Sequence, residues 1–148
     1  MSQEIGIEQL SVFVENKRGK LVGVTEVLGA AGVDLRALSI ADTADYGVLR
    51  VIVDKPDAAL SALTDAGYVV KKNRVLPVSV SDEPGALAKA LRVLADAGAD
   101  VEYLYAFVAH GENRAYVILR VDDNAAAAAV LGKSGIAVAT DGELRLSR

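Results

Sequence analysis

Val78-Ser79-Val80-Ser81-Asp82-Glu83-Pro84-Gly85-Ala86-Leu87, followed by a helical pattern that closes on Ala97-Gly98-Ala99-Asp100-Val101, has a counterpart 66 positions upstream. There the chain reads Val12-Phe13-Val14-Glu15-Asn16-Lys17-Arg18-Gly19-Lys20-Leu21 and then Ala31-Gly32-Val33-Asp34-Leu35. At the same offset Leu10, Val27, Leu28 and Leu38 fall on Leu76, Val93, Leu94 and Leu104. Apolar matches alone arise between any two amphipathic helices, whereas Gly, Gly and Asp matched at fixed spacing mark an internal repeat. Further on the offset becomes 68, laying Asp54, Ala58, Ala59, Leu63, Gly67 and Val70 on Asp122, Ala126, Ala127, Leu131, Gly135 and Val138. The second copy therefore carries two extra residues between its second and third strands. Two tandem domains are expected, 1-72 and 73-148, with the boundary near Lys71–Asn73.

Each copy has the same order of elements. Leu10, Val12 and Val14 alternate with Ser11, Phe13 and Glu15, the period of a half-buried strand. Leu21, Val24, Val27, Leu28 and Ala31 recur at helical spacing and stop at Gly32, a residue that accepts the positive φ of a helix end. Leu35–Ile40 and Val48–Val53 read as a hairpin turning around Asp42–Asp45; Asp54 is placed to cap a second helix through Ala66, with Pro56 in its first turn; Tyr68–Val70 closes the unit as a strand. The second copy repeats this as Val75–Val80, Pro84–Ala97, Val101–Ala109, Arg114–Val121, Asn124–Lys133 and Ile136–Ala139, with Glu143–Leu146 as a short additional strand. A βαββαβ order predicts an α+β fold, two ferredoxin-like domains in tandem, each an antiparallel sheet with helices on one face. That fold hosts many unrelated functions, so activity has to be argued from particular residues.

Composition narrows the classes. In 148 residues there is no Cys and one His, which removes disulfides, thiolate metal sites, a cysteine nucleophile and a polyhistidine metal site. No Ser-His-Asp set, metal cluster or phosphate loop is apparent, so no enzyme activity and no cofactor are expected. Lys+Arg 16 against Asp+Glu 20 gives a net charge of −4, the wrong sign for affinity built on neutralising phosphates. A nucleic-acid-binding ferredoxin-like pair is the alternative class, and it also lacks an aromatic-and-basic surface strand. Without a basic, apolar leader or a run of about 18 apolar residues, a cytoplasmic protein with no membrane partner is expected.

The Val78–Leu87 stretch and the helix end at Ala97–Val101 resemble the start of an ACT domain, and Val12–Leu35 looks like the same motif with Arg18 in place of the usual proline. The resemblance covers nearly the whole chain, twice. It implies a regulatory or sensor protein without catalytic chemistry that binds a small molecule, most often an amino acid, where two such domains meet. A homodimer and a metabolic enzyme as partner are the associations expected, along with a regulatory subunit working through protein contacts alone as another reading. The Glu-Ser-Arg-Pro segment of phenylalanine-binding relatives is absent from Leu35–Ala41 and Val101–Phe107.

The residues suit such a ligand on physical grounds. A strand ending in Asp/Asn-x-x-Gly and opening a helix offers backbone N–H groups to a carboxylate, and Gly19 and Gly85 let that backbone come close. The expected ligand-binding residues are Asn16, Arg18, Gly19, Lys20 and Leu21 in the first loop and Asp82, Pro84, Gly85, Ala86 and Leu87 in the second, with Asp34 and Asp100 as carboxylate acceptors for an α-ammonium. In the family pattern the loop of one domain works with the strand-start residue of its neighbour, pairing Asn16–Leu21 with Asp100 and Asp82–Leu87 with Asp34. Asn16 and Asp82 could equally serve as turn or cap residues, and Asp34 and Asp100 could bond the turns they follow. Arg18 beside one loop and Glu83 beside the other predict two unequal sites, the second closer to the family.

Other features read as structure. His110 belongs to a solvated hairpin; Tyr103, Tyr105 and Phe107 alternate along one strand as core or interface; Ala125 to Ala129 are helix formers. Gly23 and Gly29 inside the first helix each cost ~0.5–1 kcal/mol relative to Ala. Close approach of another element would explain them.

Overall fold

The computed structural model describes residues 5–15, 17–42, 45–106 and 114–145. His110 and Phe107 lie outside the described residues. In order the elements are β1 (Ile7–Glu15), α1 (Lys20–Ala30), β2 (Leu35–Asp42), β3 (Tyr46–Val53), α2 (Pro56–Asp65), β4 (Val69–Ser81), α3 (Ala86–Asp96), β5 (Val101–Ala106), β6 (Arg114–Val121), α4 (Asn124–Lys133) and β7 (Ala137–Val138). The helices α1 and α3 coincide at an offset of 66; β3 with β6 and α2 with α4 coincide at 68. The two-residue insertion thus falls between β5 and β6, as the repeat requires. The described residues form two compact units, residues 8–73 with Arg145, and residues 5–7 with Arg74–Leu144.

In the first unit the strand order is β2-β3-β1, with β4 next to β1; β1 and β2 both run antiparallel to β3. The alternation of β1 and β3 turns Leu10, Val12, Val14, Leu49, Val51 and Val53 to one face, where they meet Val24 and Leu28 of α1 and Ala59 and Leu63 of α2. The second unit repeats this in the order β7-β4-β6-β5, all pairs antiparallel. Its core joins Leu76, Val78, Val80, Val117, Leu119 and Val121 to Ala90 and Leu94 of α3 and Ala127 and Leu131 of α4. Each fully buried Leu is worth ~1.5–3 kcal/mol over an exposed one. On the face of β5 and β6 away from these helices, Tyr105 is buried opposite Ile118, and its ring stacks on Tyr103 at 6.5 Å between centroids.

All four helices end alike, with the N–H two positions beyond the cap returning to the third-last carbonyl: Val33 to Leu28, Tyr68 to Leu63, Ala99 to Leu94 and Ile136 to Leu131, at 2.9–3.0 Å. This closure needs a positive φ at the residue between, supplied by Gly32 (73°) and Gly98 (78°) as expected.

Three sequence expectations need correction. Tyr68–Val70 and Val75–Val80 are parts of one 13-residue strand, β4. Its middle is polar yet engaged: Lys72 Nζ lies 3.2 Å from Glu8, Asn73 Oδ1 accepts from Gln9 Nε2 at 3.1 Å, and Arg74 Nη1 donates to the Gly6 carbonyl at 2.7 Å. Asp54 does not cap α2, whose N-cap is Lys55; the Asp54 carboxylate accepts the Asp34 N–H at 2.8 Å instead. Glu143 does not begin a strand, since residues 141–145 form a turn, held by the Glu143 carboxylate on the Thr140 N–H (2.8 Å) around a buried Leu144.

Candidate functional site

Each repeat builds its loop in the same way. The strand ends, the chain turns, and a glycine in the left-handed region starts the helix: Gly19 at φ 86° before α1 and Gly85 at φ 89° before α3. A Cβ at either position would meet nothing within 4 Å, so the glycines serve the backbone conformation here rather than relieving crowding. Neither helix receives a side-chain cap. In the second loop Ala86 N–H bonds Glu83 O and Lys89 N–H bonds Gly85 O. The N–H groups of Leu87 and Ala88 between them belong to the uncapped first turn, which carries the partial positive charge of the helix.

Gly85, Ala86 and Lys89, around that turn, line a half-open cavity of about 390 Å³ in the second unit. Its other lining comes from Ser79 and Ser81 of β4, Glu83 and Pro84 of the loop, Arg114 at the start of β6, and Ser134–Ile136 after α4. Arg114 is held at its root. Its Nε donates to Ser79 Oγ at 3.0 Å, and Nη2 donates to Ser79 Oγ at 2.8 Å and to the Ser79 carbonyl at 3.0 Å. Ser79 is only 7% exposed, so the guanidinium is anchored on a buried hydroxyl, with Nη1 unbonded among the described residues. Arg114, Lys89 and a helix N-terminus line the cavity against one carboxylate, Glu83, so the charge balance of the lining is positive.

Of the residues expected from sequence, Pro84, Gly85 and Ala86 line this cavity; Leu87 follows on α3, half-buried, and Asp82 is exposed beside it without capping the helix. Asn16 lies outside the described residues. Arg18, Gly19, Lys20 and Leu21 are exposed in the first loop. Asp34 is engaged locally, its carboxylate 2.6 Å from Arg36 Nη1 and its carbonyl accepting the Asp54 N–H at 3.1 Å. Asp100 is exposed, with no hydrogen bond or ion pair among the described residues. Within a unit the loop and the acidic residue sit at opposite ends of an 11-residue helix. By helix rise that is roughly 16 Å, so no unit brings its own loop and its own Asp to one small ligand.

Arg114, Ser79, Lys89 and Ser134–Ile136 went unnoticed in sequence. The signal that finds them is divergence between the copies: at the positions matching Arg114, Ser79, Lys89, Ser134 and Ile136 the first unit carries Tyr46, Phe13, Gly23, Ala66 and Tyr68. Its loop is also satisfied internally. Glu15 takes Lys20 Nζ at 3.4 Å and Lys17 Nζ at 3.6 Å. The Lys20 hydrogen bond first, then the Lys17 charge, hold the Glu15 carboxyl below the ordinary carboxylate value. A group lowered in this way favours the fold above its unfolded pKa, and the effect fades as pH falls through the folded one. Lys20→Ala is expected to raise the Glu15 pKa toward its ordinary value in a carboxyl-carbon NMR titration. An unmoved titration would show that Lys20 is not its main partner.

Among the described residues no helix is long and apolar enough to cross a membrane, and no group of three or more His, Cys, Asp or Glu could hold a metal ion. No curated protein matches the chain. A solved structure of protein BT0572 from Bacteroides thetaiotaomicron is 39% identical, with a TM-score of 0.88 over 95% of this chain and 96% of that one. The ligand-free regulatory subunit of aspartate kinase from Thermus thermophilus shares the fold at 19% identity, with a TM-score of 0.65 over 90% of this chain and 95% of that one. The family model for an ACT domain pair matches residues 5–145, which spans both glycine-started loops and both sheets. With that match spanning every described residue, the chain belongs to the ACT domain pair family.

Proposed function

We propose that this protein is a non-catalytic regulator that binds a small amino acid, and that the second loop is its main binding element. The observation that carries the reading is the uncapped first turn of α3, opening onto a cavity with Arg114 and Lys89 in its wall. The α-carboxylate rests on the Leu87 and Ala88 N–H groups, with Pro84, Gly85 and Ala86 shaping the approach. Asp100, the freer of the two acidic candidates because Asp34 already holds Arg36, lies at the far end of α3 and is no acceptor for a ligand held by the second loop of its own unit. Arg18, Gly19, Lys20, Leu21 and Asn16 form the weaker, first-repeat version of the loop.

The partner in this reading is a metabolic enzyme on a separate chain, in keeping with a fold that also serves as a regulatory subunit of aspartate kinase. Self-association as a homodimer is supported by β2, an edge strand with Leu38 and Ile40 42% and 50% exposed. A cytoplasmic setting belongs to the same proposal.

A thermal-shift panel of the twenty amino acids tests it. A ligand of the native state at a hundredfold excess over Kd adds about 2.7 kcal/mol. Near this chain length each kcal/mol moves Tm by roughly 2–4 °C. One amino acid, or a small related group, is expected to raise Tm by several degrees. A flat panel at millimolar concentrations would sink the reading.

A further inference from the structure

The two repeats share a backbone but differ in what occupies the space above the first turns of α1 and α3. In the second unit Lys89 and Ile136 border open volume. Their counterparts are Gly23 and Tyr68, and a Cβ added to Gly23 would stand 2.7 Å from the Tyr68 hydroxyl. The phenol therefore lies over the helix where the second unit has its cavity, which accounts for a glycine in the middle of α1. Position by position the substitution continues: Phe13 for Ser79, Glu15 for Ser81, Tyr46 for Arg114. The register confirms the match, with Glu15 opposite Tyr46 and Ser81 opposite Arg114. An acid already holding two lysines stands where the second unit offers a serine beside its arginine.

We propose that the chain holds one such site, in the second unit, and that its ligand carries a second acidic group, a dicarboxylic amino acid, read by Arg114 and Lys89. The inference rests on the amino-acid reading above and goes beyond it in naming the ligand class and the residues that select it. One carboxylate takes the uncapped turn of α3. The other meets the guanidinium of Arg114, which Ser79 fixes in direction while Nη1 stays available for the ligand. Lys89 of α3 adds charge to the same cavity. The balance agrees, since Arg114 and Lys89 against Glu83 leave one net positive charge for a ligand of one net negative charge. A neutral amide of the same shape would lose the charge-assisted hydrogen bond. The first unit, with Tyr68 seated in its own space and Glu15 at the rim, accepts no such ligand.

Calorimetric titration of the intact chain with L-aspartate, L-glutamate, L-asparagine and L-glutamine tests this. One acid is expected to bind about tenfold or more tighter than its amide, at one ligand per chain and more weakly at high salt. Arg114→Gln is expected to remove the preference for the acid while retaining weak binding of both. Because that change leaves the buried Ser79 hydroxyl without its partner, Lys89→Gln on an exposed turn of α3 provides the second variant, expected to narrow the preference several-fold with an unchanged melting curve. Amides binding as tightly as acids, two ligands per chain, or a preference untouched by both substitutions would each overturn the inference. Tight binding of a neutral amino acid, insensitive to Arg114→Gln, would do so while leaving the proposed function standing. Binding of no amino acid would overturn both.

Discussion

Leu94→Ala is expected to destabilise the second unit by ~2–5 kcal/mol, the range for truncating a leucine in a closed core. Leu94 is fully buried among Leu76, Val78, Val117, Leu119 and Leu131, so its removal leaves a cavity bounded by strands and a second helix that cannot all move in. The backbone bond from Ala99 N–H to the Leu94 carbonyl survives the change, which assigns the loss to packing rather than to the helix end. At roughly 2–4 °C per kcal/mol the melting transition should fall by about 4–20 °C. Leu87→Ala, at a half-buried position of the same helix, should cost distinctly less. Urea and thermal unfolding of the two variants make the comparison, and equal effects would mean that the burial pattern of α3 is misassigned.

Gly6→Ala is the second large effect. Gly6 has φ 102°, and its missing Cβ would stand 2.4 Å from the Val75 carbonyl oxygen and 3.2 Å from its carbon. Both are backbone atoms, with no flexible side-chain end to swing aside. A side chain at such a φ costs ~1–3 kcal/mol by itself. Displacing the segment also strains the Arg74 bond to the Gly6 carbonyl (2.7 Å) and the Asn124 bond to the Ile5 carbonyl (3.1 Å). Each such bond is worth ~0.5–1.5 kcal/mol, for a total loss of roughly 2–6 kcal/mol. Gly85→Ala is the control, because its Cβ enters open space and only the φ term applies. Hydrogen exchange should place the Gly6→Ala loss around Val75 and Asn124. Protection unchanged there would refute the assignment.

The helices were legible because two signals coincide in each: apolar residues at helical spacing, and a glycine where the end must adopt positive φ. Gly32 and Gly98 announced the ends of α1 and α3 within one residue. The continuity of β4 was not legible, since Lys71-Lys72-Asn73-Arg74 has no apolar alternation and reads as a connector. Its strand character comes from partners far away in sequence, Glu8, Gln9 and Gly6. Asp54 illustrates a competition that composition does not resolve: a good capping residue is drawn instead to the Asp34 amide across the end of a hairpin. For the site, the reading sought positions where the copies agree and so found the loop glycines. The cavity is made where they differ, at Arg114, Lys89 and Ser79, and these residues come from separate strands and a helix that only folding brings together.

The second unit includes residues 5–7, and this has a consequence for how the protein is made. On the ribosome those residues emerge ahead of the first unit, yet their partners Arg74, Val75 and Asn124 follow some 70 to 120 positions later. The peptide must wait, undocked, while the whole first unit is synthesised. Contacts so distant in sequence close slowly, because the chain entropy is lost before the contact is gained. The second unit is therefore completed by residues translated before the first unit, and a nascent chain arrested before Asn124 leaves Ile5 without the amide that holds it.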